Sequence, residues 1–330
     1  MQTRCDSKTA AQFCAAIAWA FAFCGASLHA APSEAGRVVR SLTPPVVAAH
    51  RGGYFEPGSP LEKVRKTLVT GSAQVLEIDL RLTRDGVVIV SHDDHLTGTH
   101  ACDGPVERLT YAEVAGCERA INSKSVSRFE DVLTAVNGHA VINAEFKTQA
   151  VVGPAIRMVQ AHHATPWVYF QATGDLGKYR MARRLDADVA LLLKVTSDAE
   201  IRQAIALHDP HLVILELDRD FVTPRRVAQI HAAGKLVSEN SFRYQFTAER
   251  FTASCDRVFG LGVDIAVTNN ASSCAAQRGM WQKDLGGRRW SPFDRQHLRA
   301  DFGGDKHALE LFMAGIGVFG MALVIKAGRA

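Results

Sequence analysis

The stretch VLEIDLRLTRDGVVIVSHD, Val75 to Asp93, decides the fold of this chain. Its opening, VLEIDL, is an apolar run of the kind that forms a buried strand, yet it carries acids at positions 77 and 79. Alternate residues of a strand share one face, so the Glu77 and Asp79 carboxylates point the same way. Two like charges on one buried face call for something cationic to meet them. The Arg84-Asp85-Gly86 turn then folds VVIVS back as an antiparallel hairpin.

That hairpin settles the strand count. From Val46 to Asn269 short apolar runs alternate with amphipathic stretches, the pattern of repeated βα units on a parallel sheet. The runs are VVAA (46–49), VLEIDL (75–80), VVIVS (87–91), AVINAEF (140–146), WVYFQA (167–172), VALLLKV (189–195), HLVILEL (211–217), KLVSEN (235–240) and DIAVTN (264–269). With VVIVS set aside as the return strand of a hairpin, eight remain. The expected fold is therefore an α/β, TIM-like (β/α)8 barrel with a small β-hairpin insertion. Helix-start signals support the intervening segments, with Ser197 ahead of Asp198 and Glu200, and Thr223 ahead of Pro224.

A closed parallel barrel gathers its functional groups at the carboxyl ends of its strands. Four charged pairs sit at or near such ends: His50-Arg51, Glu77-x-Asp79, His92-Asp93 and Glu145-x-Lys147. A single histidine at a strand end is more often structural than catalytic; all four pairs in order, at barrel-like spacing, argue for a site. If Glu145 joins Glu77 and Asp79, three carboxylates converge and a divalent cation is the natural compensation. All-oxygen ligation favours a hard ion, Mg²⁺ or Ca²⁺. His50 and His92 would flank it as proton donor and acceptor, and Arg51 and Lys147 add fixed charge suited to a phosphate. Together these groups describe cleavage of a phosphoryl ester.

The chain of 330 residues suits one barrel with extensions at both ends, and its net charge of +4 is spread without a basic block, which leaves nucleic-acid binding unsupported. Residues 1–31 read as a secretory signal: Arg4 and Lys8, an apolar stretch from Phe13 to Leu28, then Ala30 and Ala31 before Pro32. An uncleaved anchor is the alternative. The expected location is exported, periplasmic or secreted. Once the signal leaves with Cys5, Cys14 and Cys24, Cys102, Cys117, Cys255 and Cys274 remain. Their simplest pairing is 102 to 117 and 255 to 274, one of three arrangements. The barrel is expected over 32–275, followed by a polar linker over 276–306 and an apolar tail over 307–330. The apolar run Leu311 to Ile325 is short for a bilayer-spanning helix, which needs roughly 17 to 25 residues. Membrane contact through this tail and packing of a helix on the protein both stand. The GIGVFG inside it lacks the surrounding βαβ unit of a dinucleotide site.

At AHRG (Ala49 to Gly52), LEIDLRLTRDGVVIVSHD (Leu76 to Asp93) and INAEFK (Ile142 to Lys147) the sequence resembles the glycerophosphodiester phosphodiesterases. The likeness extends more weakly through VTPRRVAQIHAAGK and GVDIAVTN, over about residues 46 to 270. It implies His50 and His92 as the acid/base pair, Arg51 and Lys147 at the phosphate, and Glu77, Asp79 and Glu145 as ligands of a divalent cation. It also implies attack by the substrate's own glycerol hydroxyl, a cyclic phosphate opened by water, and release of sn-glycerol 3-phosphate and an alcohol. Three positions depart from the family pattern: Gly58-Ser59-Pro60-Leu61 replaces a Pro-Glu-Asn-Thr run, Ser238 a tryptophan, and Asn269 an aspartate. The small-molecule substrate is expected to be a glycerophosphodiester. Competing expectations are an enzyme directed at lysophospholipid or phospholipid, favoured by the apolar tail, and a non-catalytic barrel that binds headgroups. The presence of every matching site residue argues against the latter.

Overall fold

The computed structural model describes residues 42–96, 104–116, 126–242 and 255–284, together with Gly36 and Val39. Eight parallel strands form the barrel: β1 (Val46–Ala49), β2 (Val75–Leu82), β5 (Val141–Phe146), β6 (Val168–Thr173), β7 (Leu191–Val195), β8 (Leu212–Leu217), β9 (Leu236–Asn240) and β10 (Ile265–Thr268). They pair in sequence order, and β1 closes the ring by pairing with both β10 and β2. The remaining strands, β3 (Val88–Val90) and β4 (Ser127–Arg128), extend β2 as an antiparallel ribbon, with Leu80 opposite Val90 and Ile89 opposite Arg128. The expected hairpin is thus present and carries one further short strand.

Apolar residues on both faces explain why these runs form a closed parallel sheet, buried on each side. One face of each strand meets the helices: Val47, Ile78, Ala144, Phe170, Leu193 and Leu215 belong to that cluster. The opposite face fills the barrel with Val46, Val75, Val141, Tyr169, Leu192 and Ile265. Towards the carboxyl ends the same inward face turns polar, at Glu77, Asn143, Gln171, Glu216 and Ser238, all buried. This switch from apolar to polar along one face positions the site.

Helix starts follow their local chemistry. Ser59 and Glu62 form a reciprocal capping box at the head of helix Pro60–Thr70, with Pro60 in its first turn. The Gly58-Ser59-Pro60-Leu61 segment is therefore a helix entry. Ser197 and Thr223 accept hydrogen bonds at the heads of helices Asp198–Ala206 and Pro224–Ala232, as their sequence signals predict. Helix Ala271–Asp284 runs on past position 275, into the segment the composition assigns to a polar linker. It is a surface helix whose weak apolar periodicity hides it from a pattern search.

Cys255 and Cys274 form the expected disulfide, tying helix Cys255–Gly260 to helix Ala271–Asp284. Cys102, Cys117, the signal over 1–31 and the tail over 307–330 lie outside the described residues. Among the described residues no helix is long and apolar enough to cross a membrane. Opening the disulfide by replacing Cys255 and Cys274 with Ser releases a loop constraint of 19 residues. Denaturant unfolding should show a loss of roughly 3 kcal/mol, the entropy expected for a loop of that size; an unchanged midpoint would mean the staple contributes nothing.

Candidate active site

The polypeptide leaves β1 through a single 3-10 turn, His50–Gly52. Arg51 adopts a left-handed φ of 51°, an unusual conformation for a residue with a Cβ. This twist aims its backbone N–H at Glu77, whose Oε2 accepts at 2.8 Å. The turn is held from outside, because the Thr67 hydroxyl donates to the Gly52 carbonyl at 2.7 Å. Gly52 has a φ of 69°, and a Cβ there would meet Val64 Cγ2 at 2.7 Å, so the turn requires glycine.

Glu77 and Asp79 stand on the inward face of β2, and Asp79 pairs directly with Glu145 on β5. One oxygen from each of the three lies within 4.8 Å of the others. Lys147 Nζ closes the group, donating to Asp79 Oδ1 at 2.8 Å and to Glu145 Oε1 at 3.1 Å. Burial opposes the charge on Asp79, but Lys147 and the nearby histidines outweigh it and hold its carboxyl below the usual range. Glu77 has no such partner. Burial first, then the neighbouring Asp79 and Glu145, push its carboxyl well above the usual range. The Arg51 guanidinium approaches Asp79 no closer than 3.9 Å, and its buried Nε has no hydrogen-bond partner. Among the described residues one lysine thus pairs with two of the three carboxylates. The all-oxygen donor set and its surplus negative charge fit a divalent cation.

His50 is fixed on three sides. Its Nδ1 donates to Asn269 Oδ1 at 2.6 Å, and its ring stacks on Phe242 at 4.3 Å and near Tyr54 at 5.5 Å. With Nδ1 committed as donor to an amide oxygen, Nε2 presents its lone pair, 3.9 Å from Glu77 Oε2. Burial, with the Arg51 guanidinium next, lowers the imidazole pKa to about 3, so the ring is neutral at physiological pH. His92 differs: it follows β3, is part-exposed, and its Nδ1 lies 2.7 Å from Asp93 Oδ1. Arg81 anchors its backbone by donating to the His92 carbonyl at 3.1 and 3.3 Å while pairing with Glu107 at 2.8 Å.

The sequence-predicted residues Glu77, Asp79, Glu145, Lys147, Arg51 and His50 therefore converge, and His92 stands within electrostatic reach of Asp79 and His50. Pattern reasoning missed Asn269 as the partner of His50, Arg81 as the anchor of His92, and a polar set on the far wall. That set includes Gln171, Lys194, Glu216 and Asn240. Its signal was the spacing itself, since Glu145, Gln171, Lys194, Glu216 and Ser238 fall on inward positions of successive strands.

An anionic ester is what such a barrel mouth is built to receive, with fixed cations beside buried carboxylates and a neutral imidazole. Fold and site define a phosphoric diester hydrolase. The model of the glycerophosphoryl diester phosphodiesterase family matches residues 65–272, and the chain belongs to that family. Among its relatives is the Mycobacterium tuberculosis protein named "Probable glycerophosphodiester phosphodiesterase 2", 27% identical over 207 residues, covering 58% of this chain and 77% of the relative. A mouse lysophospholipase D is 41% identical over 71 residues, 21% of each chain. An Oleispira antarctica phosphodiesterase solved with the product sn-glycerol-3-phosphate superposes with a TM-score of 0.59 at 18% identity. The match covers 71% of this chain and 96% of that one, and at this identity it bears on the fold.

Two measurements test the electrostatics. Replacing Lys147 with Met leaves the buried acids without their cation, and in EDTA urea unfolding should register a loss of about 3–5 kcal/mol. Added Ca²⁺ or Mg²⁺ should restore part of it. Glu216 supplies the pH test, since burial first and Glu145 next raise its carboxyl from 4.5 to about 7 against the opposing Lys194. The folded protein keeps a proton that the unfolded chain releases, so this group's contribution is full below pH 4.5 and is lost as pH rises to 7. The loss should reach roughly 3 kcal/mol, and Glu216→Gln should be free of it when both proteins are unfolded in EDTA across that window.

Proposed function

We propose that this protein hydrolyses glycerophosphodiesters to sn-glycerol 3-phosphate and an alcohol, with Mg²⁺ or Ca²⁺ held by Glu77, Asp79 and Glu145. The observation that carries the proposal is the convergence of these carboxylates beside His50 and Lys147 in a chain of this family. When bound, the cation supplies charge stabilisation at the phosphoryl oxygens. Lys147 and Arg51 hold the phosphate electrostatically, as point charge and guanidinium. His50, neutral and oriented by Asn269, accepts a proton through Nε2 from the attacking glycerol hydroxyl. That oxygen bonds to phosphorus as the bond to the leaving alcohol breaks, and His92 gives that alcohol a proton. Water then opens the cyclic phosphate with the two histidines in exchanged roles.

Two further points belong to the proposal. The Cys255–Cys274 disulfide supports an exported protein, since such bonds persist in oxidising compartments. A lysophospholipid substrate is the second reading, favoured by the segment shared with the mouse lysophospholipase D.

The test is release of glycerol 3-phosphate from glycerophosphocholine after EDTA treatment, then with each cation restored. Recovery by one ion identifies it, whereas failure with both sends the assay to micellar lysophospholipid. His50→Ala and His92→Ala should each lower the rate on the order of 10²-fold or more. Near-normal turnover in both would sink the acid/base assignment.

A further inference from the structure

Across the barrel mouth from the three carboxylates, a second polar group occupies β6 to β9. Lys194 pairs with Glu216, and Glu216 with Ser238, so the three share the inward face of adjacent strands. Gln171 links the two walls, because it pairs with Glu145 on one side and donates to Glu216 on the other. Glu216 and Ser238 are each 1% exposed. The contacts on Glu216 Oε1 are long: Gln171 Nε2 at 3.4 Å, Asn240 Nδ2 at 3.4 Å and Lys194 Nζ at 3.8 Å. Hydrogen bonds of full strength lie at about 2.7–3.2 Å. Beside them the Ser238 hydroxyl is buried with no hydrogen-bond partner. Native interiors rarely leave such an atom unsatisfied, and those that do call for an explanation.

A loosely engaged carboxylate, an amide and an unpaired hydroxyl, all on one wall, offer donors and acceptors in the combination a polyol requires. A hydroxyl both donates and accepts, and a single one would satisfy Ser238 Oγ and Glu216 together. We infer that Ser238, Glu216 and Gln171 form a subsite for the polyol hydroxyl that does not attack phosphorus, and select a glycerol diester over one that lacks it. The inference rests on the phosphodiesterase reading above and adds its specificity. Lys194, pinned to Asp218 at 2.7 Å, holds charge at the rim of this subsite.

The full chain with its restored cation is assayed on glycerophosphocholine and on 2-hydroxypropyl phosphocholine, a diester that keeps the attacking hydroxyl and lacks the terminal one. Ser238→Ala removes one atom and Glu216→Gln preserves shape, and thermal midpoints are recorded for both. The expected result is a fall in kcat/KM on the glycerol diester of about tenfold or more, with a clearly smaller fall on the hydroxypropyl diester. Equal losses on both substrates, or no loss on either, would overturn the inference. A wild-type enzyme that cleaves neither diester would overturn the substrate assignment and this subsite with it. That failure is distinguishable because it appears before any substitution is made.

Discussion

Asp79 faces Glu145 because β2 and β5 pair in parallel register, and the placement of Lys147 follows from that pairing. Two residues beyond Glu145, its ammonium bridges both acids at hydrogen-bond distance. Without it, like charges would oppose each other inside a buried sheet, where the low dielectric magnifies repulsion. The cost of gathering acids here is concentrated on Glu77, which meets a backbone N–H and a neutral imidazole. The register thus decides which carboxylate ionises readily and which one does not.

Rigidity of the site comes from the barrel beneath it. The inward faces are filled by Val75, Val141, Leu192 and Ile265 at one level and turn polar at the next, so the reactive groups rest on a packed floor. His50 is the exception in origin, standing on a turn. Its orientation draws on three separate segments, through Asn269, Phe242 and Tyr54, while Thr67 pins the turn from the helix side. Strain at Arg51 is tolerated because these contacts over-determine the loop.

The barrel was legible in the sequence because both faces of its strands are apolar, leaving runs that no other arrangement buries as well. The carboxylate cluster was legible for the opposite reason, as acids interrupting those runs. Glu216 escaped notice since a single acid in LVILEL reads as a strand end, and its significance depends on the neighbours that register brings, Ser238 and Lys194. Asn269 was visible only as a departure from the family pattern, and its pairing with His50 escaped because an amide carries no charge signal and its partner lies 219 residues away. Helix Ala271–Asp284 extends past the expected boundary because a surface helix needs little apolar periodicity. What pattern reading misses here is pairing at long range between residues that are each unremarkable alone.

The partner of His50 bears on how the site keeps account of its protons. An amide accepts one hydrogen bond from Nδ1 and favours the protonated ring, but burial and Arg51 outweigh it and hold the ring neutral. Nearby Glu77 is pushed in the other direction, its carboxyl raised above the usual range by burial and then by Asp79 and Glu145. The two groups stand 3.9 Å apart, and neither supplies the charge that would ionise the other. Glu77 would have to be ionised to hold a divalent cation, so cation and proton would compete for this carboxylate. A bound divalent cation would bring more positive charge beside His50 than the proton it replaces, and so would lower the proton affinity of the imidazole. Loading of the site and basicity of its histidine are coupled through this single contact.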